Sequence, residues 1–158
     1  MIKKKINILN LKKKFFNLKK RNKKIVMTNG CFDIIHAGHI KIFKESKKLG
    51  DILVVAVNSD RSIKKLKGNS RPFNKIKDRL SVLESIIYID HILVFNSLTP
   101  KNIYQKLKPH IITKGSEYHK SEVVGSLSIT KNNGKVILIK MLKNRSTSNL
   151  AKKINKYI

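Results

Sequence analysis

Five short apolar runs, each separated from the next by helical patterning, constrain this chain more than any other feature. They are "IVMTN" from Ile25, "DILVVAVNS" from Asp51, "HILVF" from His91, "HIITK" from His110 and "KVILIK" from Lys135. Runs this short, rich in Ile and Val and apolar at nearly every position, suit strands covered on both faces. Between them lie helix candidates at Ala37 to Leu49, near Ser62, at Ile76 to Tyr88, at Pro100 to Leu107 and at Glu122 to Asn132. Gly50 after the first, Thr99 ahead of Pro100 and Gly134 after the last are end signals. Strands that alternate with helices pair in parallel through right-handed crossovers. The sequence therefore predicts an α/β domain over residues 24–158, a doubly wound, Rossmann-like, five-stranded parallel sheet with helices on both faces. Residues 1–23 are Lys-rich, with Ile8, Leu11, Phe15, Phe16 and Leu18 at roughly helical spacing. They predict a basic amphipathic helix packed on the domain, in preference to a membrane-surface helix.

At 158 residues the chain suits one domain. Cys31 is its single cysteine, which rules out an internal disulfide or a CxxC zinc site and fits a reducing compartment. A small half-buried hydrophobe is its ordinary role. No apolar run approaches the roughly 20 residues that span a bilayer, and the start lacks the apolar core of a signal peptide. A cytoplasmic protein with no membrane partner is expected. The net charge of +27 points at first to nucleic acid. Only five of the 36 basic residues are Arg, however, the residue suited to bidentate readout of bases, and the lysines are scattered through the chain with much Ile and Asn. These three residue types share A/T-rich codons, so no specific nucleic-acid partner is needed; a basic nucleic-acid-binding module stays as the non-enzymatic alternative.

In doubly wound sheets, ligands sit beyond the carboxyl ends of the strands. "NGCFD", "NSD" and "KGSEY" fall there, each after an apolar run. In "TNGCFDIIHAGHI" the first strand ends, a turn follows, and His36 and His39 stand at i and i+3 at a helix start. Free backbone N–H groups at such a start favour anions, Gly38 allows close approach, and two imidazoles can donate to phosphate oxygens. A zinc site would need three or four ligands where only Asp33 is near, and a nucleophile would have to be Cys31. Neither GxxxxGK[ST] nor GxGxxG occurs, which disfavours P-loop hydrolysis and dinucleotide oxidoreduction.

The segment "GCFDIIHAGH" resembles the HxGH motif of the nucleotidyltransferase superfamily of cytidylyl- and adenylyltransferases. Further along, "VVAVNSD", "KKLKGNSRPFNKIKDR", "LTPKNIYQKLKPHIITKGSEY", "VVGS" and "RSTS" resemble, in order, the bacterial D-glycero-β-D-manno-heptose 1-phosphate adenylyltransferase family. That family also occurs as the C-terminal domain of a bifunctional heptose kinase/adenylyltransferase. The resemblance implies the joining of ATP and heptose 1-phosphate to give ADP-heptose and pyrophosphate, for the inner core of lipopolysaccharide, with Mg²⁺ accompanying ATP. It implies a separate heptose kinase that supplies the sugar phosphate, and a homodimer. Glycerol-3-phosphate cytidylyltransferase is the nearest enzymatic alternative.

Residue by residue, the resemblance places His36 and His39 on the ATP phosphates as catalytic groups. Lys67 would reach the phosphates between the two substrates, and Arg79 would contact a phosphate. Asn29, Gly30, Cys31, Phe32, Asp33 and Gly38 would form the nucleotide turn, with Asp33 orienting the loop or a Mg²⁺-bound water. Lys114 and Gly115 would lie near the adenine, and Ser146, Thr147 and Ser148 at the ATP phosphates. Asn58, Asp60, Lys67, Arg71 and Tyr118 would bind the sugar phosphate. Arg145 departs from the family's pattern, which often has a small residue before S-T-[ST].

Overall fold

The computed structural model describes residues 3–116, 122–141 and 150. Its elements are α1 (Ile8–Lys20), β1 (Ile25–Gly30), α2 (Ala37–Lys48), β2 (Ile52–Asn58), α3 (Asp60–Lys67), α4 (Ile76–Glu84), β3 (His91–Phe95), α5 (Lys101–Leu107), β4 (Ile111–Gly115), α6 (Ser126–Thr130) and β5 (Lys135–Ile139). All five expected strands are present and pair in parallel, in the order β3-β2-β1-β4-β5. The chain order reverses at β1, so the crevice between β1 and β4 is the topological switch point where ligands bind in such sheets.

The register opens that crevice. β1 pairs with β4 only as far as Thr28 opposite Thr113. Beyond this pair, Asn29 and Gly30 stay with Ala56 and Val57 of β2, while Lys114 and Gly115 stay with Leu138 and Ile139 of β5.

Side chains alternate across the sheet, as the two-residue period of a strand requires. Ile25 and Met27 of β1 and Val54 and Ala56 of β2 face one cluster, with Leu11, Phe15, Ile103, Tyr104 and Ile129. Val26, Leu53, Val55 and Val57 face the other, with Phe43, Leu80 and Leu83. Helices thus cover both faces. The second face carries a small polar patch: Thr28 Oγ1 donates to the Thr113 carbonyl at 3.1 Å, and the hydroxyls of Ser46 and Thr113 lie 2.7 Å apart.

Three helices differ from expectation at their ends. The N-terminal helix begins only at Ile8, where the Asn7 side chain accepts from Asn10 N–H at 2.9 Å. The residues before it instead run beside β3, with Ile6 N–H donating to Ile92 O at 3.0 Å and Ile92 N–H to Lys4 O at 2.9 Å. They cover an edge that would otherwise present unpaired groups. α4 ends at Glu84, although Ile86 and Tyr88 prolong the apolar period. The chain turns there so that Ile89 is buried and Asp90 accepts from Leu53 N–H at 2.7 Å. α6 is limited to Ser126–Thr130, between Gly125 at φ 89° and Asn133 at φ 59°.

Candidate active site

Residues 31–36 link the end of β1 to the start of α2. Phe32 takes the left-handed conformation, at φ 48°, which turns its ring back beneath Gly30. A Cβ at position 30 would lie 3.0 Å from Phe32 Cζ, so any larger residue would push the ring aside. The buried Phe32 ring meets His39 edge-on with centroids 5.3 Å apart. On its other side, His39 stacks on His36 at 3.9 Å and an interplanar angle of 29°. His36 is the N-cap of α2, and its side chain makes no capping hydrogen bond. No acidic residue occupies the first turn. The helix therefore presents its orphan N–H groups and positive dipole end beside the two imidazoles.

Burial, then the charges of His36 and Lys67, lower His39 to about 4. Its ring is neutral at pH 7 and so combines one donor with one acceptor. His39 Nδ1 is buried without a hydrogen-bond partner among the described residues. Lys67, exposed at the last turn of α3, is near enough to act on both His39 and Cys31. The Cys31 thiol is pushed up by burial despite Lys67, Arg79 and Arg71, which suits a packing residue and not a nucleophile.

Several candidates are engaged with the protein itself. Arg79, expected at a phosphate, is 1% exposed. Its guanidinium donates to Asn74 O at 3.1 Å, Cys31 O at 2.6 Å, Asn58 O at 2.9 Å and Asp60 Oδ1 at 2.7 Å. It braces the loops after β1 and β2 against the start of α4, because a buried guanidinium must have its donors met. Asp60, expected at the sugar phosphate, also accepts from Ile76 N–H at 3.1 Å and so stands in for an N-cap of α4. Asn58 is 3% exposed and donates to Ser62 Oγ at 2.9 Å.

Asp33 has no side-chain exposure, and its carboxylate pairs with Arg71, with Nη2 at 2.6 Å and Nε at 2.7 Å from Oδ2. It also accepts from the Phe73 N–H at 3.0 Å and the Asn74 N–H at 2.9 Å. Burial alone would raise its pKa, but the Asn74, Phe73 and Arg71 hydrogen bonds outweigh burial and hold it below the usual carboxylate range. Asp33 thus ties the loop after β1 to residues 71–74. Its Oδ2 is taken by Arg71 and the Phe73 N–H, while Oδ1 accepts, among the described residues, only from the Asn74 N–H. Among the described residues, no three His, Cys, Asp or Glu side chains gather as metal ligands. Arg71, stacked at 4.2 Å on Phe73, is held at the rim by the same carboxylate.

Lys114 bridges the crevice, its Nζ donating to Asn29 O at 3.0 Å. Gly115 is the last residue of β4, and Gly38 is buried in the first turn of α2. Tyr118, Ser146, Thr147 and Ser148 lie outside the described residues, as does Arg145. One residue at the crevice escaped the sequence reading: the Tyr104 hydroxyl donates to Asn29 Oδ1 at 3.0 Å. The available signal was a tyrosine at a core position of α5, where a buried hydroxyl has to find a partner.

Among the described residues no helix is long and apolar enough to cross a membrane. A solved lipopolysaccharide core biosynthesis protein from Thermoplasma volcanium is 32% identical, with a TM-score of 0.62 over 78% of this chain and 99% of that one. The pantoate-beta-alanine ligase of Francisella tularensis shares the fold, with a TM-score of 0.64 at 18% identity over 93% of this chain and 71% of that one. The bifunctional protein HldE of Campylobacter concisus is 46% identical over 135 residues, 85% of this chain and 28% of that protein. HldE of Actinobacillus pleuropneumoniae is 42% identical over 144 residues, 91% of this chain and 30% of that protein. The chain therefore spans less than a third of these curated relatives. Residues 27–152 match the cytidylyltransferase-like family model, and with the histidine pair at the switch point of its sheet, this chain belongs to the cytidylyltransferase-like family.

Proposed function

We propose that this protein is a nucleotidyltransferase that joins ATP and D-glycero-β-D-manno-heptose 1-phosphate, releasing pyrophosphate and forming ADP-heptose for the lipopolysaccharide core. The observation that carries the reading is the stacked pair His36 and His39 at the uncapped N-terminus of α2, beside the Lys67 charge. The sugar is chosen by the identity to the bifunctional HldE proteins and by the order of the motifs.

The chemistry asks for little covalent help. A sugar phosphate has a second pKa near ~6, so it is largely dianionic at neutral pH and attacks the α-phosphorus unaided by a base. A phosphorus–oxygen bond forms to the sugar phosphate as the bond to pyrophosphate breaks. Catalysis then consists of aligning the two oxygens and meeting the charge that spreads onto them. The His36 ring, the neutral His39 imidazole, helix N–H groups and Lys67 are suited to this, and Phe32 holds the His39 ring in place. The bracing by Arg79 and the Asp33–Arg71 pair keeps the loops fixed before substrate arrives.

Purified protein with MgATP and heptose 1-phosphate is expected to release pyrophosphate and form a sugar nucleotide. His36→Ala should lower turnover roughly 100-fold or more, as loss of a transition-state donor does, while salt-sensitive retention on DNA is unchanged. Turnover with CTP and glycerol 3-phosphate in place of these substrates would overturn the substrate assignment. Specific nucleic-acid binding without any transferase activity would overturn the enzyme reading itself.

A further inference from the structure

We infer that Tyr104 is a positioning residue, holding the Asn29 amide at the mouth of the β1–β4 crevice so that its Nδ2 donors are presented to the nucleotide. The inference rests on the reading of that crevice as the nucleotide site.

Tyr104 lies on α5, on the far side of the sheet from the histidines, with its ring wholly buried among Met27, Ile112 and their neighbours. Phenylalanine would fill that volume without requiring a polar partner. The tyrosine hydroxyl instead reaches the last part of β1 and donates to Asn29 Oδ1 at 3.0 Å. In a carboxamide, the nitrogen lies across the Cγ from the oxygen, so a pinned Oδ1 fixes where Nδ2 points. The backbone of the same residue is held too, because Lys114 Nζ donates to Asn29 O at 3.0 Å. Asn29 is partly exposed, beyond the last β1–β4 pair, where the two strands separate. A half-exposed amide that would otherwise sample several rotamers is thereby set in one orientation before the ligand binds.

The ring is braced from the other side by the turn that leads into α6. Gly125 adopts φ 89°, and a Cβ there would come within 2.8 Å of Tyr104 Cδ2. Only glycine meets both demands, so the turn closes directly on the ring and keeps the hydroxyl aimed at Asn29. Burial pushes the phenol well above its usual range, which keeps it protonated as a donor.

The test is ATP titration by calorimetry on the wild type, Tyr104→Phe, Asn29→Ala and the double variant, with melting temperatures measured in parallel. Tyr104→Phe should weaken ATP binding roughly 3- to 10-fold, the scale of one oriented hydrogen bond, with the fold retained. On the Asn29→Ala background the same change should have no further effect. Asn29→Asp, which keeps the acceptor for Tyr104 but loses both donors, should bind ATP more weakly than Asn29→Ala. Wild-type affinity in Tyr104→Phe, or losses that simply add in the double variant, would show a packing role only. If the wild type binds ATP but forms no sugar nucleotide, the proposed activity fails while the inference stands or falls on these affinities; if it binds no ATP, both fail.

Discussion

The imidazoles of His36 and His39 stack 3.9 Å apart, and the inner one has lost much of its affinity for a proton. His39 falls from 6.5 to about 4 because it is buried and faces His36 and Lys67. In the unfolded chain it takes up a proton below about 6.5; in the fold it resists until about 4. Between those values the unfolded state binds more protons, so the contribution is whole above pH 6.5 and is lost as pH falls. Stability should drop by about 2 kcal/mol between pH 7.5 and 5 from this group. Urea denaturation at the two pH values measures it. His39→Gln should shrink the difference by that amount, leaving the part owed to the partly buried His91 and His110, and an unchanged difference would mean that His39 does not titrate in this window.

Arg79 joins the carbonyls of Cys31, Asn58 and Asn74 through one buried guanidinium. Arg79→Lys keeps the charge but cannot span them, and leaves Cys31 O and Asn58 O without a donor. A loss of about 3–5 kcal/mol is expected, as for other broken buried charge networks. Guanidinium melts separate this from a simple phosphate contact, whose loss would leave stability intact and reduce turnover alone.

The contrast between Arg79 and His36 shows what the sequence can and cannot carry. The five strands, their parallel pairing and the position of the histidines follow from local patterns: apolar runs, the turn in "NGCFD", and i, i+3 spacing; the order of the strands in the sheet does not. The role of Arg79 depends on carbonyls at positions 31, 58 and 74, which only the folded sheet brings together. Tyr104 and Asn29 are likewise 75 residues apart and meet through a parallel crossover. The end of α4 was misplaced because Ile86 and Tyr88 continue its period, although tertiary burial of Ile89 decides the turn.

Asp33 collects Arg71 and two backbone N–H groups from the "RPFN" loop. Asp33→Ala leaves those donors unmet and releases Arg71, so the loop should loosen before the sheet does. Faster amide exchange at Phe73 and Asn74, with protection in β1 unchanged, is the expected signature. The depressed carboxyl also sets a sign: its contribution is present above the ordinary aspartate range and lost as pH falls through the folded value. Equal exchange in variant and wild type would remove Asp33 from this role.

Phe15 and Phe16 are adjacent on α1, yet Phe15 is 2% exposed and Phe16 60%. The helix turns Phe15 and Leu11 into the core cluster, while Phe16 faces outward with Lys20 Nζ 4.6 Å from its ring centroid. Phe15→Ala removes buried area and leaves a cavity, at a cost of about 3–5 kcal/mol. Phe16→Ala removes an exposed ring and one exposed cation–π contact, so its cost should stay below about 1 kcal/mol. Chemical denaturation of the two variants tests whether α1 is part of the folding unit. Equal and small losses would mean that α1 is detached in solution; a large loss at Phe15 alone shows that a helix outside the α/β pattern is nonetheless held by the same core as the sheet.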